Sequence, residues 1–406
     1  MIDYPYPFAA LKSRRLHLGV CGSVAAYKAI ELMRGLQKLE VQVSVTLTDA
    51  ARRFVTSRSF SALGAYRVYE DMFAQDADMA YAHLEPGQMA HTMLIAPATA
   101  NTLARLAGGF ADDMLSAQAL AFQGPLLLAP AMNPKMWTHP ATQRNIALLT
   151  EHGARFISPD SGPVACGEHG QGRLERLDEL LAACVRALSP QDMQGKTVLL
   201  TLGPTQEAWD TVRVWTNRST GRMGAALAHA AYARGARVIA LAGPGVPWLP
   251  RGVERHDVLS ARQMHALAKE WWPQADYGIF TAAVADFSPV YESEGKFKKS
   301  AAADGLSIPF APNPDILADL GAAARPDQII LGFAAESTNL EQAAREKLRR
   351  KKAHLLAANN ITSTDAGFAS RDNRLFVCDC KGKEEHWPLL HKAEVAWRLL
   401  NWLLHL

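Results

Sequence analysis

The sequence predicts an α/β protein made of two doubly wound units, each a mostly parallel sheet wrapped by helices. Three observations carry that expectation. The chain opens on a strand–helix–strand unit: residues 15–21 (RLHLGVC) read as a strand, residues 25–39 place Ile30, Met33 and Leu36 on one helical face, and residues 41–46 alternate as a second strand. The same alternation of helix-period and strand-period segments resumes at residue 197 and continues to the end of the chain. Between the halves, residues 189–195 (SPQDMQG) are polar, with Pro and Gly near their ends, as a domain boundary requires. The expected division is therefore residues 1–188, a linker at 189–195, and residues 196–406.

Composition agrees. The 406 residues suffice for two or three domains, and 49% hydrophobic with 20% charged residues suits globular units with sizeable cores. The longest apolar runs fall short of a membrane span. Residues 1–15 hold an early Asp3 and two prolines before their basic residues, the wrong order for a signal peptide. Five scattered cysteines argue against a disulfide framework, which makes the cytoplasm the expected compartment. Cys378 and Cys380 have neither a second pair nor a nearby histidine, so no metal-ligand set is expected. A net charge of +3 is too balanced to argue for nucleic-acid binding.

In the first half, Gly19 and Gly22-Ser23 end the first strand. They do not form the dinucleotide fingerprint, but they leave N–H groups and a hydroxyl at a helix start, where phosphate binds; a glycine needed only for the turn reads the same way. Thr48-Asp49 looks like the start of another helix. His83 is either a structural hydrogen-bonder or an acid–base group. Residues 93–96 read as a strand, and residues 97–102 (PATANT) after it suit a flavin or phosphate as well as a helix cap. Residues 125–129 (PLLLA) read as a buried parallel strand running into residues 130–137 (PAMNPKMW). Asn133 then lies beyond a strand's carboxyl end, where ligands of such sheets bind, and its amide can hold a carboxylate or cap the backbone beside Pro134. After a helix at 140–151 and a strand at 154–157, residues 159–172 are glycine-rich and read as an irregular flap with Cys166 at its middle.

In the second half, strands are expected at 197–201, 237–241, 277–282, 328–334, 355–358 and 375–380, with a final amphipathic helix at 391–404. Residues 217–224 (NRSTGRMG) start an alanine-rich helix with a glycine pair that fits either a phosphate or close helix–strand packing. Lys296, Lys298 and Lys299 follow Asp286 as a solvated charge run or a lid. Lys347 and Lys351, four apart, share a helix face.

The octapeptide at 130–137 resembles the substrate clamp (Pro-x-Met-Asn-x-x-Met-Trp) of the FMN-dependent cysteine decarboxylases. With GVCGSVAAYK, HLEPG and PDSGPVACGEHGQG, it makes residues 14–188 similar to the phosphopantothenoylcysteine decarboxylase domain of bifunctional coenzyme A enzymes. By that likeness His83 is the catalytic base, Asn133 the carboxylate clamp and Cys166 the proton donor; Gly22, Ser23, Thr48, Thr99, Asn101 and Met132 hold FMN. The flavin would supply the electron sink that an alkyl carboxylate lacks. Pro86 departs from the aliphatic residue usual in the family.

Residues 196–406 similarly resemble phosphopantothenate–cysteine ligase, through residues 203–205, 217–224, 282–286, Lys296, 313–316 and 332–336. The likeness implies a CTP site of Phe280, Thr281, Ala282, Asp286, Lys296, Pro314, Asp315, Ile316, Leu317, Phe333, Lys347 and Lys351. Lys296 and Asn217 would be catalytic, and Arg213 and Asn217 would hold phosphopantothenate and its acyl intermediate. Leu202, Gln206 and His354 depart from the usual pattern.

The resemblance implies a Rossmann-like flavoprotein fold followed by a CTP-dependent ligase fold. It also implies Mg2+ with the CTP, 4′-phosphopantothenate and L-cysteine as substrates, and a homo-oligomer of trimeric decarboxylase and paired ligase domains, up to a dodecamer. Two rival readings compete with this one. A flavin prenyltransferase or a peptide-cysteine decarboxylase is disfavoured by the attached ligase-like half. A catalytically silent regulatory subunit of the same fold is disfavoured by the joint presence of His83, Asn133 and Cys166.

Overall fold

A computed structural model describes residues 4–73, 81–164, 167–291, 295–298, 305–336, 338–360 and 370–406. The chain forms two compact units, Met1–Pro190 and Gln191–Leu406.

The first unit is built on β1 (Arg15–Val20), β2 (Gln42–Leu47), β3 (Arg67–Tyr69), β4 (Thr92–Ala98), β5 (Leu126–Pro130) and β6 (Arg155–Phe156). All pair in parallel in the order β3-β2-β1-β4-β5-β6, so the winding reverses between β1 and β4. Leu16, Leu18, Val20 and every residue of β4 are buried, because helices cover both faces of the sheet. The helix after β1 opens as a 3-10 turn, Val24–Tyr27, before the α-helix Lys28–Lys38, which buries Leu32, Met33 and Leu36. At Gly35 an added Cβ would lie 2.9 Å from Leu181, so the glycine lets this helix meet Leu177–Leu188.

Two expectations for this unit need correction, and one helix was not expected. Thr48-Asp49 starts only a 3-10 turn, Ala51–Arg53, and the next α-helix is Ser57–Ala62. Within the range expected to be irregular, β7 (Asp160–Pro163) and β8 (His169–Arg173) pair antiparallel. Alternation cannot announce a strand whose glycines lack side chains, and those glycines are needed for contact. A Cβ on Gly170 would lie 2.9 Å from Pro134, and one on Gly172 2.3 Å from the Met132 carbonyl. Helix Met114–Ala121 was also unforeseen. It is apolar nearly all round, which removes the periodicity, although its Asp113–Ser116 capping box is a start signal.

The second unit contains β9 (Thr197–Leu202), β10 (Gln206–Ala208), β11 (Val214–Thr216), β12 (Arg237–Ala242), β13 (Glu254–Asp257), β14 (Tyr277–Phe280), β15 (Phe287–Pro289), β16 (Phe310–Pro312), β17 (Ile329–Glu336), β18 (Leu355–Asn360), β19 (Asp372–Asp379) and β20 (Glu384–His391). Eight of them form one sheet, β13-β12-β9-β14-β17-β18-β19-β20, parallel through β18 and antiparallel beyond it. β10–β11 and β15–β16 are separate two-stranded ribbons. The edge strands β13 and β20 carry charged residues and so lack the apolar signature of the central ones. Helix Arg222–Ala233 seats closely on the sheet: a Cβ on Gly224 would lie 2.4 Å from both Leu202 Cβ and Thr281 Oγ1. The closing helix Lys392–Leu403 packs against it.

Candidate functional sites

Each unit has a cleft at the carboxyl ends of its parallel strands, where polar backbone ends and loops meet. In the first unit it has a volume of about 1300 Å3 and is walled by the turns that follow β1, β2, β4 and β5. Gly22, Ser23, Thr48, Thr99, Asn101, Met132 and Asn133 all line it. Gly22 is required by space: a Cβ there would lie 2.4 Å from Ala50 Cβ. Ser23 and Thr99 cap the helical turns behind them, accepting from the backbone N–H groups of Ala25 and Thr102, both at 3.3 Å. Thr48 accepts from Ala51 N–H at 3.2 Å. Two helical starts and a glycine without room for a side chain thus face one cavity, a cradle that fits a phosphate-bearing flavin.

Asn133 caps the backbone and also meets a carboxylate of this chain. Its Oδ1 accepts from Lys135 N–H at 2.8 Å, capping the short helix Pro134–Thr138, while its Nδ2 donates to Glu168 Oε2 at 2.8 Å. Lys135 Nζ reaches the other Glu168 oxygen at 2.7 Å, and these two contacts hold the Glu168 carboxyl below the usual range, the lysine contributing most. Met132 N–H donates to Gly172 O at 2.9 Å, fastening the β7–β8 ribbon to the clamp. Cys166 lies outside the described residues.

His83 is not among the residues lining this cleft. It sits on the turn before helix Glu85–Met89, which is tied down on two sides. Arg67 donates to Glu85 at 2.6 Å, and Gln118 Nε2 donates to the Ala82 carbonyl at 3.0 Å. Gln118 Oε1 accepts from Thr46 Oγ1 at 2.6 Å and faces His17 Nε2 at 3.1 Å. Burial pushes His17 down to about 3, so it is neutral; the Gln118 contact opposes that shift. No sequence signal pointed to this core network.

The second cleft, of about 710 Å3, lies at the ends of β9, β14, β17 and β18. Asn217, Phe280, Thr281, Ala282, Asp286, Pro314, Asp315, Ile316, Leu317, Phe333, Lys347 and Lys351 all line it. Asn217 Nδ2 donates to the carbonyls of Ala283 and Val284 at 3.0 and 3.1 Å, joining the glycine loop to the segment after β14. Asp315 caps helix Ile316–Ala322 through Ala318 N–H and also pairs with Lys351. Burial lowers the pKa of both Lys347 and Lys351, with Asp286 opposing the shift in each.

Arg213 and Lys296 are not among the lining residues. Arg213 stacks on Trp209 at 4.9 Å and donates to Asp210 at 3.3 Å and to the Phe297 carbonyl at 3.5 Å. Phe297 N–H donates to Asp210 at 3.1 Å, so the strip carrying Lys296 is held at this second anchor. Lys299 lies outside the described residues. The cleft also takes in Arg222, Arg350, Asn373 and Lys392, which sequence reasoning missed. Among the described residues no cluster of three or more His, Cys, Asp or Glu could hold a metal, and no helix is long and apolar enough to cross a membrane.

Two parallel-sheet units with a polar cleft at each strand terminus define a two-site α/β enzyme. Residues 8–189 match the Flavoprotein family, and residues 193–406 match the DNA/pantothenate metabolism flavoprotein C-terminal domain. The Bacillus subtilis coenzyme A biosynthesis bifunctional protein CoaBC is 39% identical, covering 96% of this chain and 97% of that protein. The Escherichia coli K12 protein of the same name is 38% identical, with 91% of each covered. A crystal structure of the C-terminal domain of a CoaBC protein is 35% identical, covers 53% of this chain and 97% of that one, and has a TM-score of 0.45. The chain belongs to the CoaBC family of bifunctional coenzyme A biosynthesis enzymes, which join a phosphopantothenoylcysteine decarboxylase to a phosphopantothenate–cysteine ligase.

Proposed function

We propose that residues 196–406 join 4′-phosphopantothenate to L-cysteine with CTP and Mg2+, and that residues 1–188 then decarboxylate the product to 4′-phosphopantetheine with FMN, in the cytoplasm. The observation that best supports this reading is the sorting of residues. Seven flavin and clamp positions line one cleft, and twelve nucleotide and substrate positions line the other.

In the ligase half, the substrate carboxylate attacks the α-phosphate of CTP, giving an acyl cytidylate and pyrophosphate. Lys347 and Lys351 offset the negative charge crowded there, and Lys296 is brought to the reacting groups by its strip. Mg2+ enters on the nucleotide phosphates, consistent with the lack of a carboxylate cluster among the described residues. The cysteine amine then displaces CMP while Asn217 holds the acyl group. Arg213, anchored by Asp210, receives phosphopantothenate.

In the decarboxylase half, Gly22, Ser23, Thr48, Thr99, Asn101 and Met132 hold FMN, which when bound accepts electrons from the thiol end and returns them after CO2 has left. The Asn133 amide holds the departing carboxylate, with Lys135 adding positive charge beside it. His83 takes the proton and Cys166 gives one back. A base outside its own cleft serves the cleft of a neighbouring copy, which agrees with trimeric decarboxylase units and flavin at their interface; paired ligase units would extend this to a dodecamer.

Incubating the protein with 4′-phosphopantothenate, L-cysteine, CTP and Mg2+ should yield CMP, pyrophosphate, CO2 and 4′-phosphopantetheine by mass spectrometry. Formation of the cysteine amide without CO2 loss would remove the decarboxylase half of the proposal, and no amide at all would remove the ligase half.

A further inference from the structure

Four buried side-chain polar atoms lack a hydrogen-bond partner among the described residues: the indole nitrogens of Trp271 and Trp272, and the Oδ1 atoms of Asn313 and Asn373. Both oxygens belong to residues that line the second cleft, and neither tryptophan lines it. A buried acceptor left unpaired is costly, so native chains keep few of them. Asn313 directly precedes the nucleotide positions Pro314–Leu317, and its Nδ2 donates to the Ala285 carbonyl at 2.9 Å. Asn373 has no part in the ligase reading so far.

Topology brings Asn373 to the cleft. β19 runs antiparallel to β18, so its first residues, rather than its last, reach the end of the sheet where the cleft opens. Asn373 is the second residue of β19 and is 6% exposed. The chain before it is pinned by Lys392, whose backbone N–H donates to the Arg371 carbonyl at 3.0 Å and whose Nζ donates to the Ser370 and Asp372 carbonyls at 2.5 and 3.3 Å. The backbone is therefore fixed while no hydrogen bond holds the Asn373 oxygen. Phosphate and carboxylate groups present acceptors at neutral pH and cannot pair with an amide oxygen. The matching ligand group is a donor, a hydroxyl or an N–H. Two nucleotide positions, Phe280 and Phe333, lie on β14 and β17, three and two strands away from β19 in the sheet, or roughly 14 and 10 Å at the usual strand spacing.

We propose that Asn373 is a specificity residue for the acyl substrate: its amide oxygen accepts a hydrogen bond from the hydroxyl or the amide N–H that 4′-phosphopantothenate carries between its two anionic ends. The inference rests on the ligase reading. It gives the site a means of choosing among carboxylates by their uncharged middle, which lysines that answer only to charge do not supply.

The full-length chain is tested as wild type, Asn373→Leu and Asn373→Ala. Ligase KM values are measured for CTP, cysteine, 4′-phosphopantothenate and two analogues of the last, one with hydrogen in place of the hydroxyl and one methylated on the amide nitrogen. Asn373→Leu should raise the KM for 4′-phosphopantothenate roughly 5- to 100-fold, the range for a buried polar group that loses its partner. The KM values for CTP and cysteine should hardly move. Wild type should reject one analogue by a similar factor, and Asn373→Leu should treat that analogue and the parent alike, since the two changes remove the same bond. An analogue penalty equal in wild type and variant would overturn the proposal, as would a KM rise confined to CTP or to cysteine. Asn373→Ala decides in the same way if the leucine variant does not fold, with CO2 release from 4′-phosphopantothenoylcysteine reporting an intact chain. Wild type accepting both analogues at the parent's KM would overturn the proposal without any variant. A wild-type chain that forms no amide would instead remove the ligase reading, and calorimetric binding of 4′-phosphopantothenate and its analogues would then judge Asn373.

Discussion

Gln118→Leu tests how the core positions His83. In the native arrangement the Gln118 amide can face only one way. Its oxygen takes the Thr46 hydroxyl proton at 2.6 Å, and its NH2 faces the Ala82 carbonyl at 3.0 Å. Rotating it would set oxygen against oxygen at Ala82. Thr46 Oγ1 also lies 2.9 Å from His17 Nε2, so those two can pair without the glutamine. Leucine fills a similar volume, which leaves the Ala82 carbonyl as the group without a partner. An orphaned buried acceptor costs about 1–3 kcal/mol. For a unit of this size, about 2 kcal/mol corresponds to a melting point lowered by roughly 4–8 °C. The catalytic effect should be larger, since a misplacement of about 1 Å can cost on the order of 10²-fold in rate. The assay is CO2 release from 4′-phosphopantothenoylcysteine, with flavin content read by absorbance and stability by calorimetry. Flavin content and KM should be nearly unchanged while kcat falls. A lowered melting point with wild-type kcat would refute the positioning argument, and an unchanged melting point would show that the bond carries no stability.

Further outcomes follow from the same geometry. Gly22→Ala should leave the purified protein without flavin, because its Cβ would meet Ala50 at 2.4 Å; a yellow variant would show that the turn can relax. Cys166→Ser should keep the flavin and release CO2 yet accumulate the unreduced enethiol, and full turnover would exclude Cys166. Lys296→Gln should lose pyrophosphate release by ~10²–10³-fold, whereas Asn217→Asp should release pyrophosphate and trap the acyl cytidylate, visible by mass. Acid should weaken the first unit through His17. Its folded pKa, about 3, lies below the unfolded 6.5, so the unfolded chain binds a proton that the native chain refuses. The His17 contribution is complete above pH 6.5 and declines between 6.5 and 3, by up to about 1.4 kcal/mol per pH unit. Denaturant midpoints of wild type and His17→Gln at pH 7 and pH 5 should reveal the difference; parallel losses would exclude His17.

Much of this was legible in the sequence because the signals were local. Buried parallel strands such as β4 and β5 are apolar runs bounded by Gly, Pro or polar residues, and the cleft residues follow those strand ends within a few positions. Helix Pro140–Glu151 begins at a proline and carries an amphipathic pattern, so its bounds were readable. What escaped was carried by distance or by the absence of side chains. Glycines 162, 170 and 172 conceal the β7–β8 ribbon, since alternation is a property of side chains. Gln118 works through partners 36 to 101 positions away, and nothing adjacent to it in the chain indicates those partners. The charged edges β13 and β20 disguise themselves for the reason that edges must avoid pairing with other chains.

Glu168 has a bearing on the order of events in the first cleft. Its carboxylate already occupies the Asn133 amide and the Lys135 ammonium, the two groups that would receive the substrate's carboxylate. If Asn133 is the clamp, substrate entry is an exchange of one carboxylate for another. The net affinity is then only the difference between two similar ion contacts. Removing the incumbent with Glu168→Ala should lower the KM of the decarboxylation step, and an unchanged or higher KM would count against the exchange. Glu168 directly precedes β8, so the same swap unlatches the β7–β8 ribbon from the clamp. On that reading the internal carboxylate is an interlock: Glu168 lets go of Asn133 and Lys135 only when another carboxylate has taken its seat.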